Sequence, residues 1–85
     1  MRKETILRIN IARTSVDANY LLEQAEHFGD REALMPYIIM SQKTINVLME
    51  VCGDSIKVGD DGGYHLNDYR ILINPSLGFG DVDIR

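Results

Sequence analysis

Few residues in this chain could do chemistry. They are His27, His65, Cys52, the acidic turn Gly59-Asp60-Asp61-Gly62-Gly63, the glycine pair of Gly78-Phe79-Gly80, and the alternating acids Asp81 and Asp83. A calcium loop needs side-chain oxygens at alternate positions and a glutamate at the twelfth. Counting from Asp60, the third position is Gly62 and the fifth Tyr64, so that ladder fails and a hairpin turn is expected; a divalent site from Asp60, Asp61 and Asp68 is the minor alternative. Gly78-Phe79-Gly80 lacks the third glycine and the following helix of a phosphate-cradling loop. Asp81 and Asp83 fall on one side of an extended strand, but paired carboxylates need burial or close approach to split their pKa values. A solvent-facing edge strand is the expectation there. Neither histidine has a histidine four residues away, so a helical zinc pair is excluded. No nucleophile elbow is present.

Cys52 is the only cysteine, which excludes an internal disulfide and a thiolate cluster within one chain. It falls on the apolar stripe of a helix, where a free thiol behaves as a small core residue. No catalytic residue, cofactor or metal is therefore expected.

Charge argues in the same direction. The 85 residues carry 9 basic and 13 acidic side chains, a net of -4, which suits neither duplex DNA nor an anionic membrane. Residues 1–13 hold Arg2, Lys3, Arg8 and Arg13 against Glu4, a net of +3; residues 14–52 sum to -4 and residues 53–85 to -3. No aromatics interleave with the basic cluster to stack bases. Glu23, Glu26, Asp30 and Glu32 could imitate a row of phosphates, although a solvated helix face is the plainer reading. The longest apolar run is Tyr37-Ile38-Ile39-Met40, far short of a bilayer span. No signal-type apolar block follows Met1-Arg2-Lys3-Glu4, so a cytoplasmic location in a host cell, or association with a virion, is expected. The length fits one domain, with a thin core.

The elements that would position these residues follow from periodicity. Leu7, Ile11, Thr14, Ala18, Leu21, Ala25 and Phe28 recur at alternating spacings of four and three, the seam of an amphipathic helix over about residues 4–28 with Gly29 as its stop. The competing reading makes residues 5–12 a β-branched strand, with Thr14 or Ser15 capping a shorter helix from about Val16. Tyr37-Ile38-Ile39-Met40 reads as a strand buried on both faces. Ser41 caps a helix whose stripe is Ile45, Leu48, Met49 and Cys52, with Gly53 as a left-handed stop. Ile56-Lys57-Val58, Tyr64-His65-Leu66, Tyr69-Arg70-Ile71-Leu72-Ile73 and a terminal edge strand carrying Val82 and Ile84 complete an antiparallel β-meander. The fold class is α+β: an N-terminal helix (or strand plus helix), a buried strand, a capped helix, then a small meander, with helices on one face of the sheet.

If residues 4–28 form one helix, Ile6, Ile9, Val16 and Tyr20 lie off its seam on a second apolar face. That face would be an interface, joining two antiparallel copies in a dimer with the basic end of one beside the acidic helix of the other. The strand reading instead adds residues 5–12 to a sheet edge.

The run Tyr37-Ile38-Ile39-Met40-Ser41-Gln42-Lys43-Thr44, followed by a helix, a polar turn, a short strand and Tyr69-Arg70-Ile71-Leu72-Ile73-Asn74-Pro75-Ser76-Leu77-Gly78, resembles a segment of tailed-phage major capsid proteins. Small prophage-encoded proteins of unknown role show similar patterns. The resemblance covers residues 37–85 and contains no catalytic motif. The long spine helix, the extended loop and most of the axial domain of that family are missing, so the chain is not expected to build a shell alone. The resemblance implies a phage or prophage origin and a non-enzymatic role in self-association and protein contacts. The alternative is an acidic regulator or inhibitor that binds a host or phage protein; a small enzyme ranks third.

Overall fold

The structure, a computed structural model, describes residues 6–13 and 17–85. Its elements are β1 (Leu7–Asn10), α1 (Ala18–Glu32), β2 (Ile38–Met40), α2 (Gln42–Cys52), a 3-10 turn (Gly53–Ser55), β3 (Ile56–Val58), β4 (Tyr64–Leu66), β5 (Tyr69–Ile73) and β6 (Asp81–Ile84). This is the α+β class. The six strands form one sheet in the order β1-β6-β2-β5-β4-β3. Every pairing is antiparallel except β2 with β5.

The single N-terminal helix over residues 4–28 is not formed, and the strand-plus-helix reading holds. Leu7, Ile9 and Ile11 share one parity, so the four-residue step from Leu7 to Ile11 satisfies a strand as well as a helix. Tertiary pairing decides: β1 runs antiparallel to β6, with Leu7 opposite Ile84 and Ile9 opposite Val82. The lower half of the seam is helical, and Ala18, Leu21, Ala25 and Phe28 are all buried. Asp17 caps α1 by accepting from the Asn19 amide at 2.9 Å. Thr14, Ser15 and Val16 lie outside the described residues.

The helix also runs past Gly29 to Glu32, and Ala33 takes the left-handed stop at φ 54°. Gly29 is small for another reason. A Cβ there would sit 2.8 Å from the Leu34 carbonyl and 3.2 Å from the Pro36 ring, where the chain doubles back into β2.

Ser41 caps α2 as the sequence indicates, accepting from the Thr44 amide. The stripe is offset by one position, with Thr44, Ile45 and Leu48 buried, Cys52 half-buried and Met49 exposed. Thr44 is a core residue because its hydroxyl has partners: it accepts from the Gly80 amide and shares a hydrogen bond with the Ser41 hydroxyl, both at 3.0 Å. Gly53 is right-handed and carries the chain into the 3-10 turn, so it is not the left-handed stop.

The meander is broken by its last strand. Residues 81–84 do not form an edge; they insert between β1 and β2. Gly80 permits the turn that aims them there, with φ +82° and a Cβ position only 2.7 Å from the Ala12 side chain. Both helices and one side of the sheet enclose a single core, in which Phe28, Leu21, Ile38, Met40, Ile45, Leu48 and Ile84 are the largest fully buried residues. Among the described residues, no helix is long and apolar enough to cross a membrane.

Candidate functional site

Both helices pack on one side of the sheet, which among the described residues leaves the other side bare. Side chains alternate along a strand, so the register of the ladders places Arg8, Asp83, Ile39 and Leu72 in one row across β1, β6, β2 and β5 on the bare side. Lys57, His65 and Arg70 form a second row across β3, β4 and β5.

Arg8 and Asp83 make a two-pronged ion pair, with Nε to Oδ1 at 2.6 Å and the second guanidinium nitrogen to Oδ2 at 2.9 Å. The Asp83 carboxylate is nearly enclosed while the Arg8 side chain is 64% exposed. Hydrogen bonding from Arg8 holds the Asp83 carboxyl below the usual carboxylate range, against the upward push of burial. Next along the two strands, Asn10 donates to Asp81 at 2.7 Å and accepts from the Arg13 amide at 3.1 Å. The two acids are therefore structural groups with dedicated partners. The expectation of a solvent-facing edge strand fails because β6 is internal and a neighbouring strand supplies the counter-charge.

At the other end, the hairpin turn over residues 59–63 closes as expected, with the Gly59 amide donating to the Gly63 carbonyl at 2.8 Å. Asp61 accepts from the Gly63 amide at 2.9 Å and pairs with Arg70 at 2.8 Å, so its carboxylate is spent on the turn. Its carboxyl is lowered, first by that amide and then by Arg70. His65 stands 4.0 Å from Asp61, and His27 stands 3.7 Å from Glu23 on the exposed side of α1. Among the described residues, no group of three histidine, cysteine, aspartate or glutamate side chains is placed to hold a metal ion.

Between the two charged ends lies an apolar groove of about 590 Å³ lined by Leu34, Met35, Tyr37, Ile39, Leu72 and Arg85. Leu34, Met35 and Tyr37 are about half exposed, and Leu72 is 36% exposed. The backbone beneath is well held, because Tyr37 and Arg85 exchange amide-to-carbonyl bonds at 2.7 and 3.1 Å and so extend the pairing of β2 with β6.

The four expected interface residues do not share a helix face. Ile6, 45% exposed, precedes β1, and Ile9 lies within it, half-buried against the core. Tyr20 packs partly against the core from α1, and Val16 is outside the described residues. The groove and the Arg8–Asp83 pair were both missed by helical periodicity. The signal for the pair was present: Arg8-x-Asn10 and Asp81-x-Asp83 are complementary once the two segments run antiparallel. No protein-family model, curated protein or solved structure matches the chain.

Proposed function

We propose that this chain is a small phage or prophage protein that works without catalysis, through self-association and protein contacts. The observation that carries the reading is the uncovered side of the sheet, where Leu34, Met35, Tyr37 and Leu72 stay in water beside polar groups that are already paired. An apolar patch with a polar rim is the usual mark of a protein contact. The resemblance of residues 37–85 to a capsid-protein segment supports the phage origin. The alternative, an acidic regulator, draws on α1, whose exposed Glu23, Glu26 and Asp30 offer a negative face to a basic partner.

Sedimentation of the intact chain tests the reading. At tens to hundreds of micromolar the mass should exceed the 9.6 kDa of one chain. Association through apolar contacts should persist in 0.5 M salt, whereas screening at that ionic strength would dissolve a contact made by the acidic face. A strict monomer across this range overturns self-association.

A further inference from the structure

We infer that two copies of this chain associate by exchanging β6, so that residues 81–84 of each fill the slot between β1 and β2 of the other. This rests on the self-association reading above and supplies its geometry.

The topology sets β6 apart. Among the described residues it pairs with β1 on one side and β2 on the other, and not with β5, the strand the chain has just left. What holds it is therefore remote in sequence. The slot also specifies its occupant. On the helix side it takes the aliphatic Val82 and Ile84, both fully buried; on the bare side it takes Asp83 and Asp81, which meet Arg8 and Asn10 of β1. Withdrawing β6 leaves Leu7, Ile38 and Met40 without their neighbours, so an open single chain is unfavourable. The same strand from a second copy restores each of these contacts, and exchange of an identical element is a low-cost route to a dimer.

The loop from Asn74 to Gly80 is the hinge. Within it, the Ser76 amide donates to the Asn74 side chain at 2.9 Å and the Leu77 amide to the Asn74 carbonyl at 3.2 Å. These are local turns that an opened hinge gives up. Gly80, with its bonds to Ile11 and Thr44, travels with β6. Asn74 precedes a proline, a position that favours extended backbone, so an opened hinge continues β5 in its own direction. In the closed chain β6 runs against β5, and opening carries it away from its own slot toward a second copy. The gain lies in the hinge itself. Ile73 and Phe79 are large apolar side chains left exposed, and Pro75, Leu77 and Phe79 wall an apolar cup of about 380 Å³ beside the start of α2. Two opened hinges lie antiparallel about the two-fold axis and bring these side chains of one copy against those of the other.

A pair of charge-reversed variants tests this. Arg8→Asp places two carboxylates together across β1 and β6, and Asp83→Arg places two guanidinium groups there. In closed chains each variant keeps its own clash, and mixing the two changes nothing. After exchange the β1 of each meets the β6 of the other, and opposite charges match at both sites. At about 100 µM the wild type should sediment as a dimer. The two variants, refolded together from denaturant, should form a dimer that melts about 5 °C or more above either alone. A wild-type dimer with a mixture that melts as its two components overturns exchange and leaves self-association standing; a monomeric wild type overturns both. Arg8→Asp with Asp83→Arg in one chain is the control for the reversed pair. Should that control not fold, Arg8→Cys with Asp83→Cys in a Cys52→Ser chain decides, because residues 8 and 83 face each other at a spacing that a disulfide spans. Oxidised at the same concentration, that chain should run as a covalent dimer on a denaturing gel. A disulfide closed within single chains overturns the inference.

Discussion

The two sides of the sheet are built from the same strands, one residue out of step, and they solve opposite problems. On the helix side the row Leu7, Ile84, Ile38 and Ile71 is all hydrocarbon, and α1 and α2 close over it. On the bare side the adjacent row is Arg8, Asp83, Ile39 and Leu72, in which an ion pair and two aliphatic side chains share one surface. Ile39 and Asp83 are only 5% and 7% exposed although no helix covers them, because they stand on the central strands between neighbours. A carboxylate so enclosed is tolerable only with its partner in place. Burial therefore depends on position in the sheet as much as on layers, while the chemistry of the buried group depends on what the adjacent strand brings. Helices and strands share the core between them; the bare side supplies pairing and a surface.

The largest effect that comparison predicts is on the helix side. Leu48 is fully buried on α2, and Leu48→Ala should destabilise the fold by about 2–5 kcal/mol in denaturant unfolding. Met49→Ala on the same helix should cost far less, since that side chain is exposed. Equal costs would mean that α2 is rotated from the orientation described.

The ion pair should show an asymmetry. Arg8→Ala strands a nearly enclosed carboxylate, whereas Asp83→Ala leaves an arginine already 64% exposed and free to hydrate. Arg8→Ala should therefore cost more, about 1–3 kcal/mol, the usual penalty for an unsatisfied buried polar group. The pH response follows from the same pair. The Asp83 carboxyl is lower in the folded chain than its ordinary value of about 3.9, so its contribution is fully present above that value. It is lost as the pH falls through the folded-state value. Asp61 adds a contribution of the same sign from an exposed turn. Asp83→Asn should flatten the loss of stability below about pH 4; an unaltered acid limb would show that the pair contributes nothing to folding.

Much of the helix side was legible in the sequence, and little of the bare side was. The Ala18, Leu21, Ala25 and Phe28 seam and the Ser41 cap are local patterns that occur where their spacing places them, and the Tyr37-Ile38-Ile39-Met40 run forms a buried strand over Ile38–Met40, with Tyr37 half exposed just before it. The N-terminal segment misled because Leu7 and Ile11 satisfy both a four-residue and a two-residue period, and only the long-range pairing of β1 with β6 separates them. The same long-range step moves β6 from the expected edge to the interior and creates the Arg8–Asp83 pair across 75 residues of chain. Met49 was misplaced for a subtler reason. Thr44 reads as polar, yet partners at Ser41 and Gly80 let it enter the core and rotate the stripe.

The smallest effect tests whether the bare side is bare. Leu72 sits in the same row as Ile39 and Asp83 but is 36% exposed at the groove. For a side chain this exposed, Leu72→Gln removes little contact with the fold and places a polar group where water already reaches, so the folding midpoint should move by less than about 1 kcal/mol. The measurement belongs at low micromolar concentration, where association is weakest, and then at high concentration. A shift that is small when dilute and grows with concentration would mean that the groove is covered by a partner copy. A cost near that of Leu48→Ala even when dilute would mean that Leu72 is buried within the monomer, and the distinction between a covered and an uncovered side of the sheet would fail.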